Sequence, residues 1–288
     1  VKPAPFEYVD PRALDEALAH LARHGDEAKV LAGGQSLVPM LNFRLARPAL
    51  LVDINRVPGL DGLEEVDGVL RVGALVRQRR LERWAAGRMP LLAAALRLVG
   101  HLPIRVRGTV GGSIAHADPA AELPALLLCL DGRVVARSAT ATRTIAADAF
   151  FLGPLQTALA PDELLVETHW PLPPPGAGWG FHEVARRHGD FALVGAAALL
   201  TLEGGRVGAA RLVLFGAGPR PARAVAAEQA LHGQAPTPAA LEAAARLAAE
   251  ALEAHDDLHA TAAYRRRVAA TLAARALADA AARAGGPA

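Results

Sequence analysis

Residues 171–178 read PLPPPGAG, and no other stretch limits the fold as strongly. Proline has no amide hydrogen for a helix or a ladder, and its ring clashes with the preceding turn, so neither a helix nor a central strand can cross this segment. At 288 residues the chain is long for one hydrophobic core. The proline run divides it into parts of different texture. Before it, short apolar runs alternate with helix-period patterns. After it come three strand candidates, over 180–187, 191–202 and 206–215, and then alanine-rich helix to residue 284.

The part before the prolines divides again. Asp10 with Pro11 reads as a helix start, Leu14, Leu18 and Leu21 follow at helical spacing, and Gly25 ends the helix. A strand around Val30, a Gly-Gly turn, a short helix carrying Leu37, Met40 and Leu41, and a strand in ALLVDI from Ala49 complete a small α/β unit. Next come a strand at 69–72, helices through Leu81 with Trp84, from Leu91 and over 123–130, and strands near Val134, Thr144 and Leu165. The expected class is α+β, with units at 1–55, 56–175 and 176–288. The first two are α/β and the third is an antiparallel sheet with helices on one face. No repeat of fixed period is present.

Several function classes drop out. No run is apolar over the ~20 residues that a membrane span needs, and the opening VKPAPFEYVD lacks a basic region followed by an apolar one, so a cytoplasmic location is expected. The 31 basic and 29 acidic residues are scattered and aromatics are only 4%, which argues against nucleic-acid binding. RQRR at 77–80 and RRR at 265–267 read as solvated helix faces. Cys129 is the single cysteine. It excludes an intrachain disulfide and a four-cysteine iron–sulfur cluster, and reads as a small buried hydrophobe. His255 and His259 in HDDLH share a face if helical, but no third ligand motif supports zinc. His20 and His24 read as solvated. No metal site is expected, and no catalytic triad is legible.

Two segments carry more chemistry. AGGQS at 32–36 and TVGGS at 109–113 each place a Gly-Gly pair within two residues of a serine. Neither fits the Rossmann or Walker patterns. One reading is a pair of loops closing on a diphosphate with backbone N–H donors and the hydroxyls of Ser36 and Ser113. The other is two ordinary strand-to-helix turns. Asp118 and Glu122 in IAHADPAAELP fit either a helix start, with acids complementing its dipole, or acceptors for sugar-like hydroxyls beside the cradle.

Taken in order, AGGQSLVPMLNFRLARPALLVDIN, RGTVGGSIAHADPAAELP, ARRHGDFALVGAA and the AYRR run at Ala263 resemble the FAD-binding medium subunit of molybdenum hydroxylases, the carbon monoxide dehydrogenase and xanthine dehydrogenase family. The resemblance spans essentially the whole chain. It implies two subdomains clasping FAD in the manner of vanillyl-alcohol oxidase, plus a C-terminal sheet-and-helix domain. It implies FAD contacts from Lys29, Leu31, Ala32, Gly33, Gly34, Gln35, Ser36 and Leu37, and from Ile104, Thr109, Gly111, Gly112, Ser113 and Ala117. The glycine pairs would let amides meet the diphosphate, Asp118 and Glu122 would approach the sugar-like parts, and Leu165 and Phe191 would flank the ring. FAD is then the redox group and no residue is a catalytic acid or base.

The resemblance also implies partners: a small subunit with two [2Fe–2S] clusters and a large subunit with the molybdenum cofactor, in a dimer of heterotrimers that feeds an external electron acceptor. The lone cysteine agrees with clusters on another chain. Two positions depart from the family pattern. Phe191 stands where a tyrosine or tryptophan is frequent, and Glu183 where lysine is frequent. At this point a self-sufficient FAD-dependent dehydrogenase or oxidase, turning over as an isolated chain, and a nucleotide-binding scaffold without flavin both stay open.

Overall fold

The protein is described by a computed structural model covering residues 2–285. The first unit is a short β/α alternation: β1 (Glu7–Val9), α1 (Leu14–His24), β2 (Ala28–Leu31), α2 (Leu37–Asn42) and β3 (Leu50–Asp53). The strands lie in the order β1-β3-β2 with both pairings parallel. Parallel neighbours need crossover connections, and α1 and α2 supply them. α1 buries Ala17, Leu18 and Leu21 in one cluster with Val52 and Ile54, and Gly25 at φ +49° closes it. Its start differs from the sequence expectation. Asp10 and Pro11 lie outside the helix, because the Asp10 carboxylate is engaged by Arg56 at 2.7 Å. His20, expected in solvent, has Nδ1 buried, with its ring stacked on His24 at 6.4 Å.

The second unit contains β4 (Leu63–Val66), β5 (Val69–Gly73), α3 (Gln78–Ala85), α4 (Pro90–Leu96), α5 (Leu102–Arg107), α6 (Val110–His116), α7 (Glu122–Cys129), β6 (Arg133–Arg137), β7 (Thr142–Ala146), α8 (Ala147–Phe150), β8 (Phe151–Gly153), β9 (Gln156–Thr157) and β10 (Leu164–Pro171). Five of its strands form an antiparallel sheet in the order β4-β5-β10-β6-β7. At its centre Trp170 is fully buried and its indole N–H donates to Thr168 Oγ1 at 2.8 Å, which meets the polar requirement of a core tryptophan. Every residue of α7 is buried, as expected of a helix apolar nearly all round. Cys129 ends it. Burial pushes its thiol up to about 12, so it packs as an inert hydrophobe.

Beyond the prolines run β11 (Gly178–Ala185), β12 (Ala192–Glu203), β13 (Arg206–Phe215), β14 (Ala222–Arg223), α9 (Val225–Leu231), α10 (Pro238–Glu250) and α11 (Ala262–Arg283). The strands form an antiparallel sheet in that order. Helices were expected on one face, yet both faces are covered. α9 and α11 pack on one, and α4 and α7 of the second unit on the other. The reason is visible in β12, which is apolar at nearly every position and so cannot turn a face to water. Phe181, Ala197, Val213 and Phe215 thereby join the core of the second unit.

Two further expectations change. HDDLH is not helical: the Asp257 carboxylate accepts from the amides of His259 and Ala260 at 2.8 and 2.9 Å, a turn that separates α10 from α11. His255 and His259 therefore share no helical face. Arg265, read as solvated, is 2% exposed. Among the described residues no helix is long and apolar enough to cross a membrane.

Candidate functional site

AGGQS leaves the C-terminal end of β2 and leads into α2. Gly34 has φ +73°, a conformation open to glycine at little cost. Among the described residues, none of the five consecutive amides of residues 33–37 donates to a protein acceptor. Gln35 folds back, its Nε2 donating to Gly33 O at 3.0 Å. A run of unspent N–H donors around a left-handed residue is chemically suited to an anion such as a diphosphate.

TVGGS differs from its expected form. It is the first turn of α6 rather than a loop, with Thr109 as N-cap accepting from Gly112 N. The amides of Val110 and Gly111 donate to Val76 O and Ala74 O, and Ser113 N to Thr109 O. The glycines serve close packing here. A Cβ at Gly111 would lie 2.6 Å from Ala74 Cα, and one at Gly112 would lie 2.7 Å from Thr109 Oγ1. What this segment can offer a ligand is therefore the half-buried face around Gly112 and Ser113.

The two segments touch. A Cβ on Gly33 would lie 2.7 Å from Arg107 O and 2.8 Å from Gly108 Cα, so Gly33 lets the backbone leading into α6 pass directly against the first loop. Lys29 and Leu31 are on β2, below the loop, and Ile104 is on α5, 38% exposed, one turn before the contact. Ala117 ends α6 in the left-handed conformation, φ +51°. Its carbonyl accepts from Leu155 N. Asp118 does not start α7. Its carboxylate accepts from Ala120 N at 2.9 Å, and the helix begins at Glu122.

Glu122 is buried at the start of α7. Burial, and then the charge of Glu183 on β11, push its carboxyl up to about 8, against which its own amide and Arg105 act. Burial alone raises Glu183 to about 7, and its Oε2 is buried with no partner among the described residues. The two acids come from different units and share one seam, so at neutral pH they cannot both be carboxylates without cost. Neither the pairing nor the burial is legible in sequence, since 61 positions separate them.

Leu165 is 3% exposed in the core, beside a bulge of β10, the strand against which α6 packs. Phe191 is 62% exposed and stands just before β12, outside the core. The segment before it lies against α5, with the His188 and His101 ring centroids 5.8 Å apart and a Cβ on Gly189 reaching His101 Cε1 at 2.7 Å. Residues 33–37, the Arg107 end of α5 and the start of α6 are thus brought together, with His188 and Gly189 against His101 at the other end of α5.

One participant escapes sequence reasoning. RQRR does not sit on a solvated face: Arg77 precedes α3 and is half-buried, and Gln78 is buried. Arg77 donates to Arg107 O at 2.6 Å and to Asn55 Oδ1 at 2.7 Å, while Asn55 Nδ2 donates to Ala32 O at 2.8 Å.

Residues 4–173 match the family described as the FAD binding domain in molybdopterin dehydrogenase, and residues 179–280 match the CO dehydrogenase flavoprotein C-terminal domain. The chain is 43% identical to the 6-hydroxypseudooxynicotine dehydrogenase complex subunit alpha of Paenarthrobacter nicotinovorans, over 97% of this chain and 96% of that one. It is 42% identical to caffeine dehydrogenase subunit beta of Pseudomonas sp. strain CBB1, over 98% and 96%. A chain of the carbon monoxide dehydrogenase of Hydrogenophaga pseudoflava superposes with a TM-score of 0.96 at 39% identity, over 99% of this chain and all of that one.

Proposed function

The chain belongs to the FAD-binding medium subunits of the molybdenum hydroxylases, and from that premise we propose that it is the electron relay of a multi-subunit dehydrogenase. In this reading a large partner chain oxidises the substrate at a molybdenum cofactor, a small one carries two [2Fe–2S] clusters, and the present chain passes the electrons to an external acceptor. The assembly is a dimer of such heterotrimers, located in the cytoplasm.

The observation that carries the reading is the row of unspent amides at residues 33–37, held against the backbone that enters α6. FAD, when bound, supplies the redox chemistry, taking up and releasing electrons at its ring. The chain's own residues bind and orient it. The amides of residues 33–37 and the hydroxyls of Ser36 and Ser113 meet the diphosphate, and Lys29, Leu31, Ala32, Ile104, Thr109 and Ala117 line its approach. Asp118 and Glu122 accept from sugar-like hydroxyls. Leu165 supports the ring from the core, and Phe191, exposed and without a hydroxyl, covers it by contact alone. Glu183 places a buried carboxyl, raised to about 7, where the family often has an ammonium, so the positive charge of that pattern is missing here.

The chain's role does not choose the substrate. Its relatives are named for a nicotine derivative, caffeine and carbon monoxide, yet each aligns over nearly the full length. Cys129, buried and held protonated, cannot ligate a cluster, which supports placing the iron–sulfur centres on a partner.

The test is the visible absorption spectrum of the protein purified with its companions from native cells. Flavin bands over iron–sulfur absorption, with two further chains on a gel, are expected. Flavin on a single chain, bleached directly by a small substrate, would establish an independent dehydrogenase instead. A preparation without flavin would refute the cradle.

A further inference from the structure

We infer that Arg77 is a positioning residue for the cofactor: together with Asn55 it forms a polar clasp that sets the distance between the two glycine segments. The inference rests on the FAD reading above.

The geometry is specific. The two arms of one guanidinium reach two acceptors on different parts of the chain, Arg107 O at 2.6 Å and Asn55 Oδ1 at 2.7 Å. Arg107 ends α5, two residues before the Thr109 cap of α6. Asn55 in turn donates to Ala32 O, the carbonyl that opens AGGQS. The relay Ala32–Asn55–Arg77–Arg107 thus ties the start of the first segment to the start of the second. It spans the same gap that Gly33 closes by direct contact.

Each member is itself fixed. Asn55 receives no freedom from its position after β3, because its amide and its Nδ2 both donate to Asp53 Oδ1, and Tyr8 holds the other Asp53 oxygen at 2.7 Å. Arg77 is held through its backbone, which bridges Thr109, and through Gln78 N, which donates to Gly108 O. Burial and then the neighbouring Arg107 hold the Arg77 guanidinium below its ordinary value. Neither of its hydrogen-bond acceptors is a carboxylate. The side chain is therefore used for its shape. A planar fork can serve two diverging acceptors at once, whereas an ammonium is a point donor on a flexible stem.

The prediction separates a clasp from a mere positive charge. FAD affinity is measured on the deflavinated full chain by flavin fluorescence titration, for the natural protein and for Arg77→Ala, Arg77→Lys, Asn55→Ala and the double variant Arg77→Ala with Asn55→Ala. Arg77→Ala and Arg77→Lys are each expected to weaken FAD about tenfold. The double variant is expected to be no weaker than Arg77→Ala, since residues acting as one unit are not additive. The melting temperature of the FAD-free protein should stay near that of the natural chain, because both acceptors lie near solvent and regain water.

Natural affinity in Arg77→Lys would overturn the inference in favour of a charge effect. Additive losses in the double variant would overturn it in favour of independent roles. If Arg77→Ala fails to fold, Arg77→Lys and Asn55→Ala alone decide the matter. A natural chain that binds no FAD at all would be the separate failure of the cofactor reading.

Discussion

At the scale of single residues, the glycines divide by what a Cβ would meet. Gly33 faces only backbone, with Arg107 O at 2.7 Å, and backbone cannot step aside as a flexible side chain can. Gly33→Ala is expected to cost about 1–3 kcal/mol, the usual range for overpacking, and to release FAD by forcing the two segments apart. Flavin content and the urea midpoint of the same preparation check both effects. Gly34→Ala acts through backbone strain at φ +73° and should cost about 1–2 kcal/mol. Gly62, with open space around it and no positive φ, is the control, and alanine there should leave both readings unchanged.

Among the elements, α11 and its sheet are joined by small residues and one buried cation. Gly178 and Gly180 lie under Ala280 and Ala276, so close that a Cβ on either would overlap the helix backbone. Gly180→Ala should lower stability by about 3 kcal/mol, the upper part of the overpacking range, measured by denaturant unfolding.

Arg265 fastens the same helix to the strand ends, donating to Leu193 O at 2.6 Å, Gly216 O at 2.8 Å and Asp257 Oδ2 at 2.5 Å. Burial by itself pushes Asp257 up, but the amides of His259 and Ala260 and the Arg265 guanidinium outweigh it and bring the carboxyl down to about 2. Arg265→Ala leaves two carbonyls without their donor, while the exposed Asp257 carboxylate regains water, and should cost about 1–3 kcal/mol, the scale for unsatisfied buried acceptors. The loss should persist in high salt, because the group is screened from solvent. A loss that disappears in salt would return Arg265 to the solvated role that its sequence suggests.

In the molecule as a whole, the C-terminal sheet is cemented to the second unit by shared core residues and by Gly216 N donating to Pro119 O at 2.8 Å. Glu122 and Glu183 lie on that seam. Both carboxyls are raised in the fold, to about 8 and about 7, above the ordinary carboxylate value near 4.5 that they regain on unfolding. Between those values the folded state holds protons that the unfolded chain releases. Stability therefore falls as pH rises from about 4.5 and levels off only above about 8. The melting temperature of the FAD-free chain should decline from pH 5 to pH 8, and Glu122→Gln should flatten much of that slope. A slope unchanged in Glu122→Gln would show that the seam acids do not govern it.

Much of this protein is determined locally and is legible residue by residue. The proline run excludes helix and central strand, whatever surrounds it. The alternation around Val30 and Ala49, the capped alanine-rich helices and the ordered glycine motifs carry the α+β class and the family. Other features depend on neighbours far along the chain. TVGGS is the first turn of a helix because Ala74 and Val76 take its amides, and RQRR and RRR each hide a buried or half-buried guanidinium whose acceptors include carbonyls elsewhere in sequence. A charged residue reads as solvated until the partner that satisfies it is brought near, and that partner is a product of packing. The same holds for Glu122 and Glu183, ordinary acids in the sequence, whose raised protonation arises only where two units close and exclude water.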